Sequence, residues 1–197
     1  MTHATGSGYH LATQFLIAMP GMVDDNFAGS VVYVCDHSEQ GAMGLVINRP
    51  TDVNLHTVLE RLDLEVGQIP YSDVPVCFGG PVHTDRGFIL HAPHASDDYS
   101  SSLKIPEGLC MTTSKDILES LVLGHGPERF LMTLGYAGWS AGQLEDEIAA
   151  NGWLNVPATF PETVDIIFNT PHEKKYDKAL ALLGIEPQFL SLDAGHA

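Results

Sequence analysis

LGYAGWSAGQLEDEIAANGWL, residues 134–154, is the densest run of special-purpose residues in the chain. Upstream of it, Arg129 to Tyr136 forms an apolar, partly aromatic run of strand length. Gly135 and Gly138 permit backbone angles closed to other residues, so a sharp corner is expected after the strand. Ser140 and Gln143 then read as an S-x-x-Q capping box, each side chain satisfying a backbone N–H at a helix start. Glu145, Asp146 and Glu147 fall in the first turns, where negative charge suits the helix dipole. Leu144 and Ile148 share one face, and Gly152 is a natural stop before Trp153. The run is thus a tight strand-to-helix connection.

Three sharper functions compete for the same residues. Gly138-Trp139-Ser140-Ala141-Gly142 matches G-x-S-x-G, the nucleophile elbow. Its triad would need an acid and then a histidine, which Asp165 or Asp177 with His172 or His196 could supply in chain order. Too few strand-like runs follow Ser140 to complete a hydrolase sheet of that kind. A phosphate cradle at the helix start is set aside, because no G-K-[ST] is present and three acids follow. Tyr136, Trp139 and Trp153 could instead act as aromatic anchors of a binding surface, although core packing is their commoner fate.

Composition narrows the class. With 197 residues the chain fits one domain spanning 1–197, burying about 70% of its unfolded surface. A hydrophobic content of 44% and a mean hydropathy of +0.04 fit a soluble globular protein. Twenty-five acids stand against nine Lys and Arg, a net charge of −16, and the nine cations form no stripe along the sequence. Direct binding to a nucleic acid is therefore not expected. Cys35, Cys77 and Cys110 are odd in number and far apart, which suits reduced thiols in a cytoplasmic protein. No signal peptide is legible, and no apolar run approaches the roughly 20 residues of a membrane helix.

Along the chain, Gln14–Met19 reads as a buried strand, and Ser30–His37 with Ala42–Asn48 as a hairpin ended by Arg49-Pro50. Asn54 can cap a short helix with Leu55, Val58, Leu59 and Leu62 on one face. Val74–Phe78 is a strand halted by Gly79-Gly80-Pro81. Asp85-Arg86-Gly87 reads as a turn before a strand at Gly87–His91, and His91–Lys104 as a mobile loop. Gly108–Thr113 returns to strand, and Thr113 or Ser114 opens a helix carrying Ile117, Leu118, Leu121 and Val122. Val164–Phe168 reads as a late strand. Thr170-Pro171-His172-Glu173 reads as a capping box for a helix with Tyr176, Ala179, Leu180 and Leu183. Residues 1–10 and 190–197 are expected to be partly flexible. Seven or eight short strands with about four flanking helices, lacking β-α-β alternation, predict an α+β fold on antiparallel or mixed sheet.

Ten histidines call for a metal audit. Cys35 and His37 would share one side of a strand, and Cys77 could join them around zinc. His91 and His94 form a second close pair. No HExxH or CxxC motif supports a site, so no metal is expected.

Five blocks resemble the YqgE/AlgH family: FLIAMPGM (15–22), SVVYVCDHSEQGAMGLVINRP (30–50), GGPVHTDRGFILH (79–91), TSKDIL (113–118) and the run 134–154. Leu183-Gly184-Ile185 and the terminal Gly195-His196-Ala197 also fit. The resemblance implies a compact α+β domain with two β-sheets, a cytosolic protein, and no established cofactor. Some members are labelled transcriptional regulators, and the position of Ser140 need not be Ser in the family. The reading that follows is a regulatory or binding protein acting through a protein or small-ligand partner, with no membrane and no direct DNA contact. Its candidate site residues are Asn48, Arg49, Gly79, Gly80, Arg86, Tyr136, Trp139 and Gln143, mostly at strand ends where binding sites commonly lie. The alternative is a hydrolase or thiol-dependent enzyme using Ser140 or a cysteine.

Overall fold

Strict alternation along the strands decides which side chains share a core. In the computed structural model, which describes residues 10–67, 69–94 and 98–190, Val31, Tyr33 and Cys35 enter one cluster while Val32 and Val34 enter another. They lie on β2 (Val31–Ser38), whose neighbours are β1 (Phe15–Ala18) and β3 (Gly41–Val46). The remaining strands are β4 (Pro50–Asn54), β5 (Pro75–Phe78), β6 (Val82–His91), β7 (Ser102–Lys104), β8 (Cys110–Thr112), β9 (Phe130–Ser140) and β10 (Trp153–Val156). They run in the order β10-β1-β2-β3-β9-β6-β8-β7, with β4 on β5 and β5 parallel to β9. Every other pairing is antiparallel.

The helices among the described residues are α1 (Leu55–Arg61), α2 (Asp116–Val122), α3 (Gln143–Ala149), α4 (Phe160–Val164) and α5 (Lys175–Ala181). None is long and apolar enough to cross a membrane. The expected α+β class holds, with more strands and one more helix than the sequence suggests. The implied two sheets are hydrogen-bonded here into one ten-stranded system. The joint is β9, which pairs with β3 along residues 137–140 and with β6 along 130–136.

One face of this sheet carries a shared core of Phe15, Tyr33, Leu45, Phe88, Leu90 and Leu131, closed by Ile166, Ile167, Ala179 and Leu180. The opposite face is divided. α3 covers the β1–β3 end with Leu144, against Trp139 and Trp153. α1 and α2 cover the other end with Leu55, Leu59, Ile117, Leu118 and Leu121, against Val76, Ile89 and Met132.

Several local expectations are corrected. The corner at Gly135 and Gly138 is no turn, because β9 continues to Ser140. Gly135 is instead a phase shift: Leu131 faces the shared core before it and Tyr136 after it, so the side-chain parity flips. A left-handed φ of 73° accommodates the flip, opposite a bulge in β6 where several residues face Gly135 alone. No side chain fits there, since a Cβ would sit 2.3 Å from the Gly80 carbonyl oxygen. Asp85-Arg86-Gly87 lies inside β6 and is not a turn before it. The loop 91–104 contains β7, and its residues 95–97 lie outside the described residues.

Val164–Phe168 is helical, not a strand. Thr159 and Glu162 form a capping box that starts α4, and a π-helical turn, Asp165–Asn169, continues it. Local capping outweighs the β-branched composition of the run. Thr170 caps nothing, because its hydroxyl donates to the Asp165 carbonyl at 2.8 Å. The box at Ser140 and Gln143 forms by half: Gln143 Oε1 accepts from Ser140 N–H at 2.9 Å, while the cap position belongs to Gly142. Residues 1–9 and 191–197, covering most of the two expected flexible ends, lie outside the described residues.

Candidate functional site

Arg61 ends α1, Lys115 immediately precedes α2, and Arg86 lies where β6 leaves its ladder. Between the pairs Val82↔Tyr136 and Gly87↔Leu134, residues 83–86 stand against Gly135 alone. His83 adopts a left-handed φ of 48°, and this excess length carries Thr84, Asp85 and Arg86 outward. Asn54 fixes the start of α1 by accepting from Thr57 N–H at 3.0 Å, as its sequence predicts. Ser114 donates to Asp116 at the start of α2, and Asp116 also accepts from the backbone and hydroxyl of Ser100. These bonds hold the Asp116 carboxyl below the usual range, against the opposing pull of burial.

The three elements enclose a cleft of about 510 Å³. Its floor is apolar: Ile89, Leu118 and Met132 are buried beneath it, with Val53, Val58 and Leu134 around them. Its rim carries Arg61, Arg86 and Lys115, with Asp85 the single carboxylate in the lining. Lys115 Nζ donates to the Leu62 carbonyl at 3.1 Å and lies 4.0 Å from Glu119. Among the described residues, Arg61 and Arg86 make no hydrogen bond or ion pair, and both are exposed. The volume falls in the range of about 300–1,000 Å³ usual for small-molecule sites.

Of the eight sequence candidates, only Arg86 lines this cleft. Asn48 bridges backbone, accepting from Val31 N–H at 2.9 Å and donating to Gly29 O at 3.0 Å. Arg49 donates to the carbonyls of Asp25, Asn26 and Ala28 at 2.9, 2.7 and 2.8 Å, with its guanidinium over Phe78. Gly79 donates to Leu134 O and accepts from Val46 N–H, stitching β3 to β9. Gly80 packs so closely that a Cβ would meet Tyr136 backbone at 2.1 Å.

Tyr136 packs edge-on against Phe88 and, with Trp139 and Ser140, lines a shallow recess. Trp139 is buried and donates its indole N–H to Glu147 at 3.0 Å, and Trp153 does the same at 2.8 Å. Gln143 donates to the other Glu147 oxygen at 2.9 Å. These groups therefore build a hydrogen-bonded corner around one carboxylate.

Ser140 is exposed at the end of β9, and no histidine lines its recess. Asp165 is paired with Lys178. His172 Nδ1 lies 3.8 Å from Cys77 Sγ and 3.3 Å from the Ile47 carbonyl. His196 lies outside the described residues. No triad is assembled among the described residues.

The shared-side reading of Cys35 and His37 is corrected by a bulge between Val34 and Asp36. Cys35 enters the shared core. His37 turns the other way, accepting from Leu11 N–H at 3.1 Å and meeting Glu145 at 2.8 Å. Among the described residues no three His, Cys, Asp or Glu side chains are placed to hold a metal.

Sequence reasoning missed Arg61 and Lys115, whose only signal was cationic character at a helix boundary. It also missed Lys175, which is 1% exposed. Its ammonium donates to Ile47 O at 3.0 Å and Ile167 O at 2.8 Å, and burial pushes its pKa down to about 8. The neighbouring Cys77 thiol is pushed up by burial to about 11, partly opposed by Lys175.

Comparison with known proteins gives the chain a family. The AlgH-like family profile matches residues 15–188. A UPF0301 protein of Burkholderia vietnamiensis is 57% identical over 188 residues, covering 95% of this chain and 96% of the relative. A UPF0301 protein of Ralstonia nicotianae is 58% identical with the same coverage. The solution structure of the AlgH protein from Pseudomonas aeruginosa superposes with a TM-score of 0.77 at 45% identity, covering all of both chains. A crystal structure from Corynebacterium diphtheriae, 21% identical with a TM-score of 0.64 over 94% of this chain and 92% of that one, shares the fold. The chain belongs to the AlgH-like family.

Proposed function

We propose that this AlgH-like chain is a binding protein, and that its ligand site is the cleft between α1, α2 and the bulge of β6. One observation carries the reading: a chain with nine Lys and Arg and a net charge of −16 gathers three of those cations around one apolar-floored cavity. A side chain that only solubilises has no reason to converge there. Among the described residues Arg61 and Arg86 have no hydrogen-bond partner, whereas Arg49, the other arginine of the sequence-based site, is occupied by backbone carbonyls.

Chemistry at the nominated nucleophiles has less support. Among the described residues no histidine lines the Ser140 recess. Cys35, Cys77 and Cys110 are buried, and burial raises the Cys35 and Cys77 thiols, so both stay protonated near neutrality. Three free thiols fit a reducing cytosol. Any regulatory role would act through the bound ligand or a protein partner, because the overall charge opposes a duplex.

A thermal-shift screen of small metabolite-like compounds tests the proposal, run on the parent, Arg86→Ala and Arg49→Ala. Stabilising compounds are expected to lose their effect with Arg86→Ala and keep it with Arg49→Ala. Compounds indifferent to Arg86→Ala would place the site elsewhere. Labelling of the folded protein by serine- or cysteine-directed activity probes would favour an enzyme instead.

A further inference from the structure

Resting on that cleft as the ligand site, we infer that its ligand is a small amphipathic anion: an apolar body carrying one carboxylate or phosphate head. The two halves of the cleft demand different chemistry. Ile89, Leu118 and Met132 form a floor that gains from covering by apolar surface, and the hydroxyls of Thr112, Thr113 and Ser114 at its edge are already bonded within the protein, which disfavours a sugar or base. The rim supplies the opposite. Arg61 and Arg86 present planar, permanently charged donor forks that match a carboxylate or phosphate in two-point contact. Lys115 adds a third positive charge, although one of its donors is held by the Leu62 carbonyl.

Alternatives fail on one half or the other. A free inorganic anion would leave the floor wet. A neutral apolar compound would leave the two guanidinium groups without a counter-charge, and a cationic amphiphile would meet them head-on. Asp85 stands among the cations and offsets part of their charge, which favours a single anionic head over a polyanion. The placement of the head follows from the chain. Arg86 rides on the outward loop of β6 and Arg61 on the last turn of α1, so the head sits at the mouth and the body lies inward. Leu62, 36% exposed beside Arg61, flanks its entrance.

Methyl-detected NMR titration of the full chain tests this with four ten-carbon probes below their micelle concentrations: decanoate, decyl phosphate, decanol and decyltrimethylammonium. Acetate and inorganic phosphate serve as heads without bodies. Decanoate or decyl phosphate is expected to shift the methyls of Val53, Val58, Leu62, Ile89 and Leu118, and the tighter of the two identifies the head. The doubly substituted Arg61→Ala/Arg86→Ala protein should bind that probe at least about tenfold more weakly, because removing even one hydrogen bond to a charged group has an effect of that size. Both arginines are exposed, so an unchanged methyl spectrum away from the cleft will show that the variant still folds.

If decanol or decyltrimethylammonium fills the cleft as tightly and the double substitution changes nothing, the ligand class is wrong while the cleft survives as a site. Acetate or inorganic phosphate binding as tightly as the long probes would likewise overturn the apolar body. If none of the six shifts a cleft methyl, the amphipathic-anion inference falls; the wider compound screen on Arg86→Ala then decides the cleft itself.

Discussion

Arg49 spends its guanidinium on the protein itself. It gathers three carbonyls of the 25–28 segment and lies over Phe78, so it fastens that segment to the β3–β4 link and the end of β5. Arg49→Ala is expected to cost about 2–3 kcal/mol in urea unfolding, since several hydrogen bonds from a charged donor disappear together, and to leave cleft binding unchanged. Glu147 acts similarly at the other end of the sheet. In the sequence it is one of three acids suited to a helix start, but here it accepts from two indoles and an amide. Glu147→Ala should cost about 2–3 kcal/mol, because it strands two largely buried N–H donors. Lys175 gives a pH signature. Its folded pKa of about 8 lies below the ordinary 10.5, so the unfolded chain binds the extra proton between those values. Stability from this group is therefore present above 10.5 and lost as pH falls through 8. Relative to Lys175→Met, the parent should gain up to about 3 kcal/mol in chemical unfolding between pH 8 and 10.5. Cys77 works in the opposite direction between about 9 and 11, which the paired comparison largely cancels. None of these roles was legible in the sequence, because each depends on a carbonyl, ring or carboxylate brought close by the fold.

At the level of elements, the readable parts were those whose signals are local. The β2–β3 hairpin, the Asn54-capped α1 and the apolar face of α2 follow from alternation, capping and helical period within a few residues. β10 and the shape of β6 do not, because pairing partners set them. Trp153–Val156 becomes a strand by lying against β1, and residues 83–86 bulge because β9 offers them only Gly135. The same logic separates two glycines that look alike. Gly135 and Gly142 have nearly equal left-handed φ values, 73° and 76°. A Cβ at Gly142 meets nothing within 4 Å, while one at Gly135 would press on the Gly80 carbonyl. Gly142→Ala should therefore cost about 1 kcal/mol, the conformational penalty alone. Gly135→Ala should cost more than about 3 kcal/mol or prevent folding, because backbone must move as well. Equal losses in paired denaturation midpoints would mean that the close approach of β9 to residues 79–80 is not what requires glycine.

Across the whole molecule, one continuous sheet separates three jobs. Its shared face holds the main core, the α3 end locks around Glu147, and the α1–α2 end keeps an open cleft. The α+β class was readable from the mixture of short strands and capped helices. The cleft was not, because Arg61, Arg86 and Lys115 are far apart in sequence and meet only through the β6 bulge and the two helix ends. Net charge was the one global property that carried functional information, and it makes the local gathering of cations informative. The proposed ligand of this cleft is an anion held over an apolar floor. Calorimetric titration of decanoate and decyl phosphate into the parent and into Arg61→Ala/Arg86→Ala, each at low and high salt, tests that proposal most directly. Parent affinity is expected to fall with salt and to drop at least about tenfold on double substitution, with a variant less sensitive to salt than the parent. Equal affinity of parent and variant at both salt concentrations would contradict the proposal.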